Sequence, residues 1–325
     1  MNSSLISIII PTYNTLDVIH RTLKSIEEQT YPYYEMVIVN DGSTDGTKEF
    51  LDEYAKYHQN VIVYHQINQG VSVARNKGLE LAKGEFVCFL DSDDTYSSNF
   101  LAEMLKRQHE TDGEAIICDF NYIENGKIIY RKTNFNHEFP CLGFLGNNGY
   151  FHFSGMLMEK AALLRTNIKF DSTLRLGEDI LFTVQVLSLL TCFHTNKILF
   201  NYYKRDGSAV NCKWSSENWL NDIKSHQLVL AFLQHQVNDK KLLAMAKKII
   251  VQRELAYLLF CTKSFHYKKR NEYIDTMDIV NLSQQINCLE LNKSDRKKFR
   301  LLTSKNLFIF ILSYIYYVII RKRIK

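Results

Sequence analysis

The chain has 325 residues, of which 46% are hydrophobic and 13% aromatic, with only 3 prolines; this is the composition of an ordinary soluble protein with room for one full-sized domain and a smaller partner, and not of a low-complexity chain. Net charge is +5, yet residues 1–209 carry 19 Lys/Arg against 26 Asp/Glu while residues 210–325 carry 21 against 9, so the halves have opposite charge. Seven cysteines are scattered without a CxxC pair or clustered histidines, which excludes a zinc module or disulfide framework and leads us to expect reduced, buried thiols and a cytoplasmic location.

Leu5 to Ile10 reads as a buried strand stopped by Pro11-Thr12-Tyr13-Asn14, too short a run for a signal peptide. A helical period through Val18, Ile19, Leu23 and Ile26 follows, then a strand from Glu35 to Val39 ending in Asn40-Asp41-Gly42-Ser43. The unit repeats with helix 47–57, strand 61–64, helix 71–82 and strand 85–90. This alternation predicts an α/β fold with a doubly wound, mostly parallel, Rossmann-like sheet, whose ligands bind beyond the carboxyl ends of the strands. No GxGxxG turn follows the first strand and no Walker lysine motif is present, so a nucleotide would be held differently.

The polar motifs cluster at those strand ends. Phe86 to Leu90 runs directly into Asp91-Ser92-Asp93-Asp94, three carboxylates within four positions at the end of a core strand. Such a cluster calls for a positive partner, and its hard oxygen ligands suit Mg²⁺ or Mn²⁺ rather than zinc. Ser92 or Asp94 capping the helix that begins near Ser97 is the plainer alternative. Arg75 falls on the first turns of the third helix, either as a solvated cation or as a fork reaching a carboxylate or phosphate. Strand 114–122 and its hairpin partner 127–132 lead to an irregular stretch, 133–152, read as an acceptor-side wall. Glu178 and Asp179 precede the apolar helix Ile180 to Leu190; there they either complement the helix dipole or abstract a proton. After strand 193–203, Lys204 to Ser208 forms a turn fit for a phosphate or for solvent.

Together these residues resemble the family 2 glycosyltransferases, whose fold is GT-A. The match comprises Pro-Thr-Tyr-Asn at 11–14, Asn40 to Thr47, Ala74-Arg75-Asn76, the DxD motif at Asp91 to Asp94 and the pair Glu178-Asp179, over about residues 5–210. The resemblance implies a UDP-sugar donor and inversion at the transferred sugar. Asp41 would read the uracil edge, Pro11, Tyr13 and Asn14 would line the base and ribose pocket, and Arg75 would lie beside them. Asp91, with Ser92 in the same nucleotide-sugar site, would contact the ribose region, and Asp93 would hold Mn²⁺ or Mg²⁺ on the diphosphate. Asp179, paired with Glu178, would be the general base, an aspartate of ordinary pKa sufficing, and Arg205 with Ser208 would close on the diphosphate. A sugar-1-phosphate nucleotidyltransferase would need a glycine-rich N-terminal loop that is absent. A non-catalytic scaffold keeping the nucleotide pocket is the alternative from another class.

From Ser215 onward the pattern is helical, giving domains 1–210 and 211–325. No nucleic-acid motif is present. A basic helix containing Lys293, Arg296, Lys297, Lys298 and Arg300 precedes an apolar run, Leu307 to Ile320, which is ~21 Å long as a helix, short of a ~30 Å hydrocarbon core. Residues 305–325 therefore read as an amphipathic helix lying on an anionic membrane surface at the inner face of the cell membrane, or else as a core helix or subunit interface. Such placement suits a growing glycan acceptor linked to polyprenyl diphosphate, as in capsule, exopolysaccharide or lipopolysaccharide synthesis.

Overall fold

The computed structural model describes residues 4–131, 135, 140–146, 152–205, 214–276, 293–314 and 316–317. It divides into two compact units, Met1–Cys212 and Lys213–Lys325.

In the first unit, β1 (Ile6–Thr12), β2 (Tyr34–Asp41), β3 (Val61–Gln66) and β4 (Phe86–Phe89) alternate with α1 (Ile19–Glu27), α2 (Thr47–Tyr57) and α3 (Val71–Leu81). The isoleucines and valines of β1 and β2 are fully buried, as expected for strands covered on both faces. β1 pairs in parallel with both β2 and β4, and β2 with β3, so the order β3-β2-β1-β4 is the parallel half. Beyond β4 the sheet is mixed. β8 (Met156–Glu159) is antiparallel to β4 and β6 (Ala115–Glu124), β9 (Cys192–Tyr203) runs parallel to β6, and β5 (Thr95–Tyr96) closes the far edge against β9.

β7 (Lys127–Arg131) returns along β6 through Asn125-Gly126, both at positive φ, as a tight hairpin turn requires. β1 extends two residues further than the sequence pattern indicates, because Pro11 and Thr12 stay paired with Val39 and Asn40. β5 has no counterpart in that reading; two residues are too few to show a period. α4 (Phe100–Thr111) begins after Asn99, whose side chain makes no capping bond, so neither Ser92 nor Asp94 caps it. The stretch 133–152, read as irregular, contains α5 (Pro140–Leu145) among its described residues. α6 (Lys160–Arg165) follows β8, and α7 (Glu178–Leu189) starts at the left-handed Gly177.

The second unit is helical: α8 (Ser216–Phe232), α9 (Lys240–Lys263), α10 (Tyr267–Thr276), α11 (Lys293–Leu302) and α12 (Leu307–Tyr314). α8 and α9 are capped by Ser215 and Asp239, which accept backbone N–H bonds from their first turns. Of the terminal stretch, α12 buries Phe310 and Ser313 and leaves Leu307, Phe308 and Leu312 exposed. Ser313 of α12 and Tyr317 beyond it are buried, and Asn306 caps the helix by accepting the Phe308 N–H at 2.8 Å. No helix among the described residues is long and apolar enough to cross a membrane. Cys88, Cys118, Cys141, Cys192 and Cys261 are buried free thiols, while Cys212 and Cys288 lie outside the described residues.

Candidate active site

The carboxyl ends of β1, β2 and β4 border one cavity of about 520 Å³. Of the residues singled out by the sequence, Pro11, Tyr13, Asp41, Arg75, Asp91, Ser92, Asp93 and Arg205 line it. Asn14, Glu178 and Asp179 do not, and Ser208 lies outside the described residues.

Asp41, at the end of β2, is buried and accepts from Gln66 Nε2 at 2.7 Å, the Gln69 N–H at 2.8 Å and the Gly70 N–H at 2.9 Å. Its carboxylate thus fixes the loop leading into α3, and Gly70 and Asn68 of that loop wall the cavity. Gly42 makes this approach possible: its φ is +76°, and a Cβ there would lie 2.8 Å from the Asn68 nitrogen. Asn14, itself at positive φ, accepts the Thr44 N–H through Oδ1 at 2.8 Å and donates its own N–H to Ser43 Oγ at 3.0 Å. It therefore ties the loop after β1 to the loop after β2 instead of lining the cavity.

Arg75 is the electrostatic centre. It is only 3% exposed, so the reading of it as a solvated surface cation does not hold. Nη2 donates to Asp91 Oδ1 at 2.7 Å and Nη1 to Glu178 Oε1 at 2.9 Å, and the rings of Phe153 and Phe170 lie 4.5 and 5.0 Å from the guanidinium carbon. Burial by itself would lower its pKa, but the two carboxylates reverse this and hold it above its ordinary value. Nε is buried without a hydrogen-bond partner among the described residues. Glu178 is thus committed to an ion pair, and its neighbour Asp179 is the freer carboxylate.

Asp179 sits half-buried in the first turn of α7. Burial, then the adjacent charge of Glu178, push it up to about 6, while Arg75 pulls the other way. The expected aspartate of ordinary acidity is therefore replaced by one poised nearer neutrality, which suits a general base.

The DxD turn divides its three carboxylates. Asp93 faces the cavity 3.5 Å from Arg205 Nη1; burial, then Asp91, raise its pKa, and Arg205 opposes them. Asp94 turns inward, fully buried, and accepts the Tyr203 N–H at 2.8 Å, so it anchors the turn to the end of β9 and is not available to a metal in the cavity. A divalent ion of the Mg²⁺ or Mn²⁺ type is commonly held by one or two carboxylates with phosphate oxygens completing its shell. Asp93, with Asp91 two residues away, fits that donor set. No group of three or more ligating side chains occurs among the described residues.

Several supports escaped the sequence reading. Thr22 Oγ1 reaches the carbonyls of Ser92 and Asp94 at 2.9 and 2.8 Å, and Arg21 Nη2 donates to the Asp93 carbonyl at 2.6 Å while stacking 3.6 Å above the Tyr203 ring. A signal existed, since Thr22 interrupts the buried stripe Ile19, Leu23, Ile26 with a hydroxyl. His152 gave none. It lies against the rings of Phe153, Phe200 and Tyr202, accepts the Ser154 N–H on Nδ1, and is held neutral by burial, its pKa down to about 4.

A parallel sheet with a mixed extension, carrying a DxD turn at the end of its fourth strand and an acidic helix start facing the same arginine, is the GT-A arrangement. Residues 7–169 match the family described as Glycosyl transferase family 2, and the chain belongs to that family. Similar proteins include TuaG of Bacillus subtilis, whose name assigns it to teichuronic acid biosynthesis, 46% identical over 103 residues covering 31% of this chain and 41% of TuaG. EpsH of the same organism is 40% identical over 132 residues, covering 40% of this chain and 38% of EpsH. The chain thus spans well under two thirds of either relative. The uncharacterized glycosyltransferase YibD of Escherichia coli is 29% identical over 268 residues, covering 78% of this chain and 76% of YibD. Among solved structures, Staphylococcus aureus TarS shares the fold, with a TM-score of 0.71 at 20% identity over 96% of this chain and 55% of TarS.

Proposed function

We propose that the protein is an inverting glycosyltransferase that moves a sugar from a UDP-sugar to a hydroxyl of a bacterial surface glycan. The observation that supports this reading is the arrangement of Arg75, which bonds Asp91 at the cavity and Glu178 at the start of α7, next to Asp179.

In this reading the base and ribose lie against Pro11, Tyr13 and Asp41, the last reading the uracil edge with the acceptor capacity its loop bonds leave. Asp91 and Ser92 face the ribose. Arg205 closes on the diphosphate, together with the hydroxyl of Ser208. Asp93 would hold Mn²⁺ or Mg²⁺, which would supply positive charge to the leaving diphosphate. Asp179 takes the proton of the attacking hydroxyl as the bond to the anomeric carbon forms and the bond to the phosphate oxygen breaks. A single base without a nucleophile gives inversion, so an α-linked donor yields a β-glycoside. Glu178 positions Arg75 and through it Asp91.

The choice of donor and acceptor is supported by relatives. TarS has been crystallised with UDP and with UDP-GlcNAc, and S. aureus TarP, 31% identical over 188 residues, is named a poly(ribitol-phosphate) β-N-acetylglucosaminyltransferase. The transferred sugar is accordingly a hexose or N-acetylhexosamine. A cytoplasmic, peripheral position on anionic membrane, next to a polyprenyl-diphosphate-linked acceptor, is part of this reading, and the exposed Leu307, Phe308 and Leu312 and the exposed Arg296 and Lys297 of the basic helix support it. Isothermal titration with UDP, GDP and a panel of UDP-sugars, with and without Mn²⁺, tests the reading. Metal-dependent binding of UDP in preference to GDP is the expected result; failure of every nucleotide to bind would overturn it.

A further inference from the structure

A second cavity of the first unit, about 540 Å³, shares a wall with the first. From the end of β3 into the loop before α3, Asn68 and Gly70 line the first cavity and Gln66 and Gln69 the second. On α3, Val71, Ala74 and Arg75 line the first, whereas Val73, Asn76, Lys77 and Glu80 line the second. The two differ in chemistry. The first presents carboxylates and arginines, fit for a charged diphosphate. The second presents the ring of Tyr64, the amides of Gln69 and Asn167, the remaining carbonyl of Gln66, whose Nε2 is held by Asp41, and the charges of Lys77, Glu80 and Lys169, over a floor that includes the buried Leu79 and Leu163.

That combination selects a polyhydroxylated ligand. Amide side chains both donate and accept without charge, as sugar hydroxyls do, and an exposed aromatic ring offers a flat apolar face to the C–H side of a pyranose. Tyr64 is 38% exposed on β3, the edge strand of the sheet, and its ring lies 5.0 Å from Lys77 Nζ; that ammonium is paired with Glu80 at 3.0 Å, which leaves Lys169 as the cavity's other cation for an anionic substituent. The wall between the cavities is rigid, because Asp41 holds Gln66 and Gln69 from one side while Asn76 clamps the backbone of Phe170 through bonds of 2.8 and 3.0 Å.

We propose that this groove binds an oligosaccharide, the already built portion of the glycan being extended. The proposal rests on the glycan-extending reading above and places a second carbohydrate site outside the nucleotide cavity. Isothermal titration of the full chain with chitotetraose, a neutral probe, and with poly(ribitol phosphate), an anionic one, tests it, alongside UDP titrations of the same preparations. At least one probe is expected to bind the wild-type chain, and Tyr64→Ala to weaken it about tenfold with UDP affinity unchanged. Should Tyr64→Ala fail to fold, the double variant Gln69→Ala/Lys77→Gln decides in the same way. Absence of binding by both probes at millimolar concentration, or equal binding by wild-type and folded variants, overturns the proposal. Failure of UDP alone to bind overturns the nucleotide reading, and the glycan titrations still decide the groove.

Discussion

Arg75 and Glu178 lie 103 positions apart in sequence and form a buried ion pair at 2.9 Å, with the same guanidinium holding Asp91 at 2.7 Å. One cation therefore couples the strand end that carries the DxD turn to the helix start that carries Asp179. Glu178, the more buried of the two, would be left uncompensated without it, whereas Asp91 keeps some access to water.

Removal of that cation should cost more than removal of a surface arginine. Arg75→Met leaves Asp91 and Glu178 uncompensated, and we expect a loss of about 3–5 kcal/mol in urea unfolding. A loss under about 1 kcal/mol, the size of an exposed pair, would show that the two carboxylates do not depend on it.

Asp179, with its pKa raised to about 6, must be ionised to act as base. Transfer should rise with pH through about 6, level off above it, and fall about tenfold per pH unit below. Because the folded state favours the protonated form, Asp179 contributes stability at acid pH that is lost as pH rises through about 6. Asp179→Asn should accordingly lower kcat by about 10³-fold or more, retain UDP binding, and melt at higher temperature than the wild type at pH 8. Glu178→Gln removes the second-largest cause of the shift and should move the acid limb of the kcat profile below 6. Normal turnover in Asp179→Asn would remove Asp179 from the base position.

How far the sequence reaches is visible at this site. The strand ends at Asp41 and Asp91 were legible because a period of two or a continuous apolar run, broken by polar residues, is a local signal. That Arg75 could pair with a carboxylate was also legible, but which carboxylates was not, since they lie 16 and 103 positions away. Asp94 looked equivalent to Asp93; only the path of β9 reveals that one faces the cavity and the other the interior.

The second unit carries its own titrating group. Burial pushes Glu254 up to about 7, and its partner is the Tyr273 hydroxyl, which donates to Oε1 at 3.4 Å. A carboxylate whose folded pKa exceeds its unfolded value stabilises the fold below about 4.5 and loses that contribution as pH rises through about 7. Glu254→Gln keeps an acceptor for Tyr273 and cannot ionise. Its melting temperature should exceed that of the wild type at pH 8 and match it at pH 5, read by calorimetry; equal curves at both values would mean that Glu254 ionises without penalty.

Packing of α3 on the sheet sets how closely Arg75 approaches the strand ends. Gly78 faces β1 so tightly that a Cβ would lie 2.2 Å from Ile9 Cγ2, a clash with a fully buried side chain that has little room to move. Gly78→Ala should destabilise by about 1–3 kcal/mol despite the better helix propensity of alanine, and the displaced helix should weaken UDP binding as well. A stabilising effect would mean that β1 yields readily, and would weaken the view that α3 is a fixed wall of the cavity.

The contribution of a divalent ion can be separated from that of Arg205. Without the ion, Asp93 faces Arg205 at 3.5 Å and opposes any anion approaching that arginine. In the proposed reading Asp93 would hold the ion, and Arg205 would face the diphosphate. Asp93→Ala should therefore abolish the difference between UDP titrations performed in Mn²⁺ and in EDTA, with affinity in EDTA equal to or better than that of the wild type, because one negative charge has left the cavity. Arg205→Ala should instead weaken UDP in both conditions while retaining the Mn²⁺ dependence. If Asp93→Ala kept a full Mn²⁺ response, the ion would be held elsewhere, and Asp91, two residues away and already bonded to Arg75, would be the carboxylate to vary next.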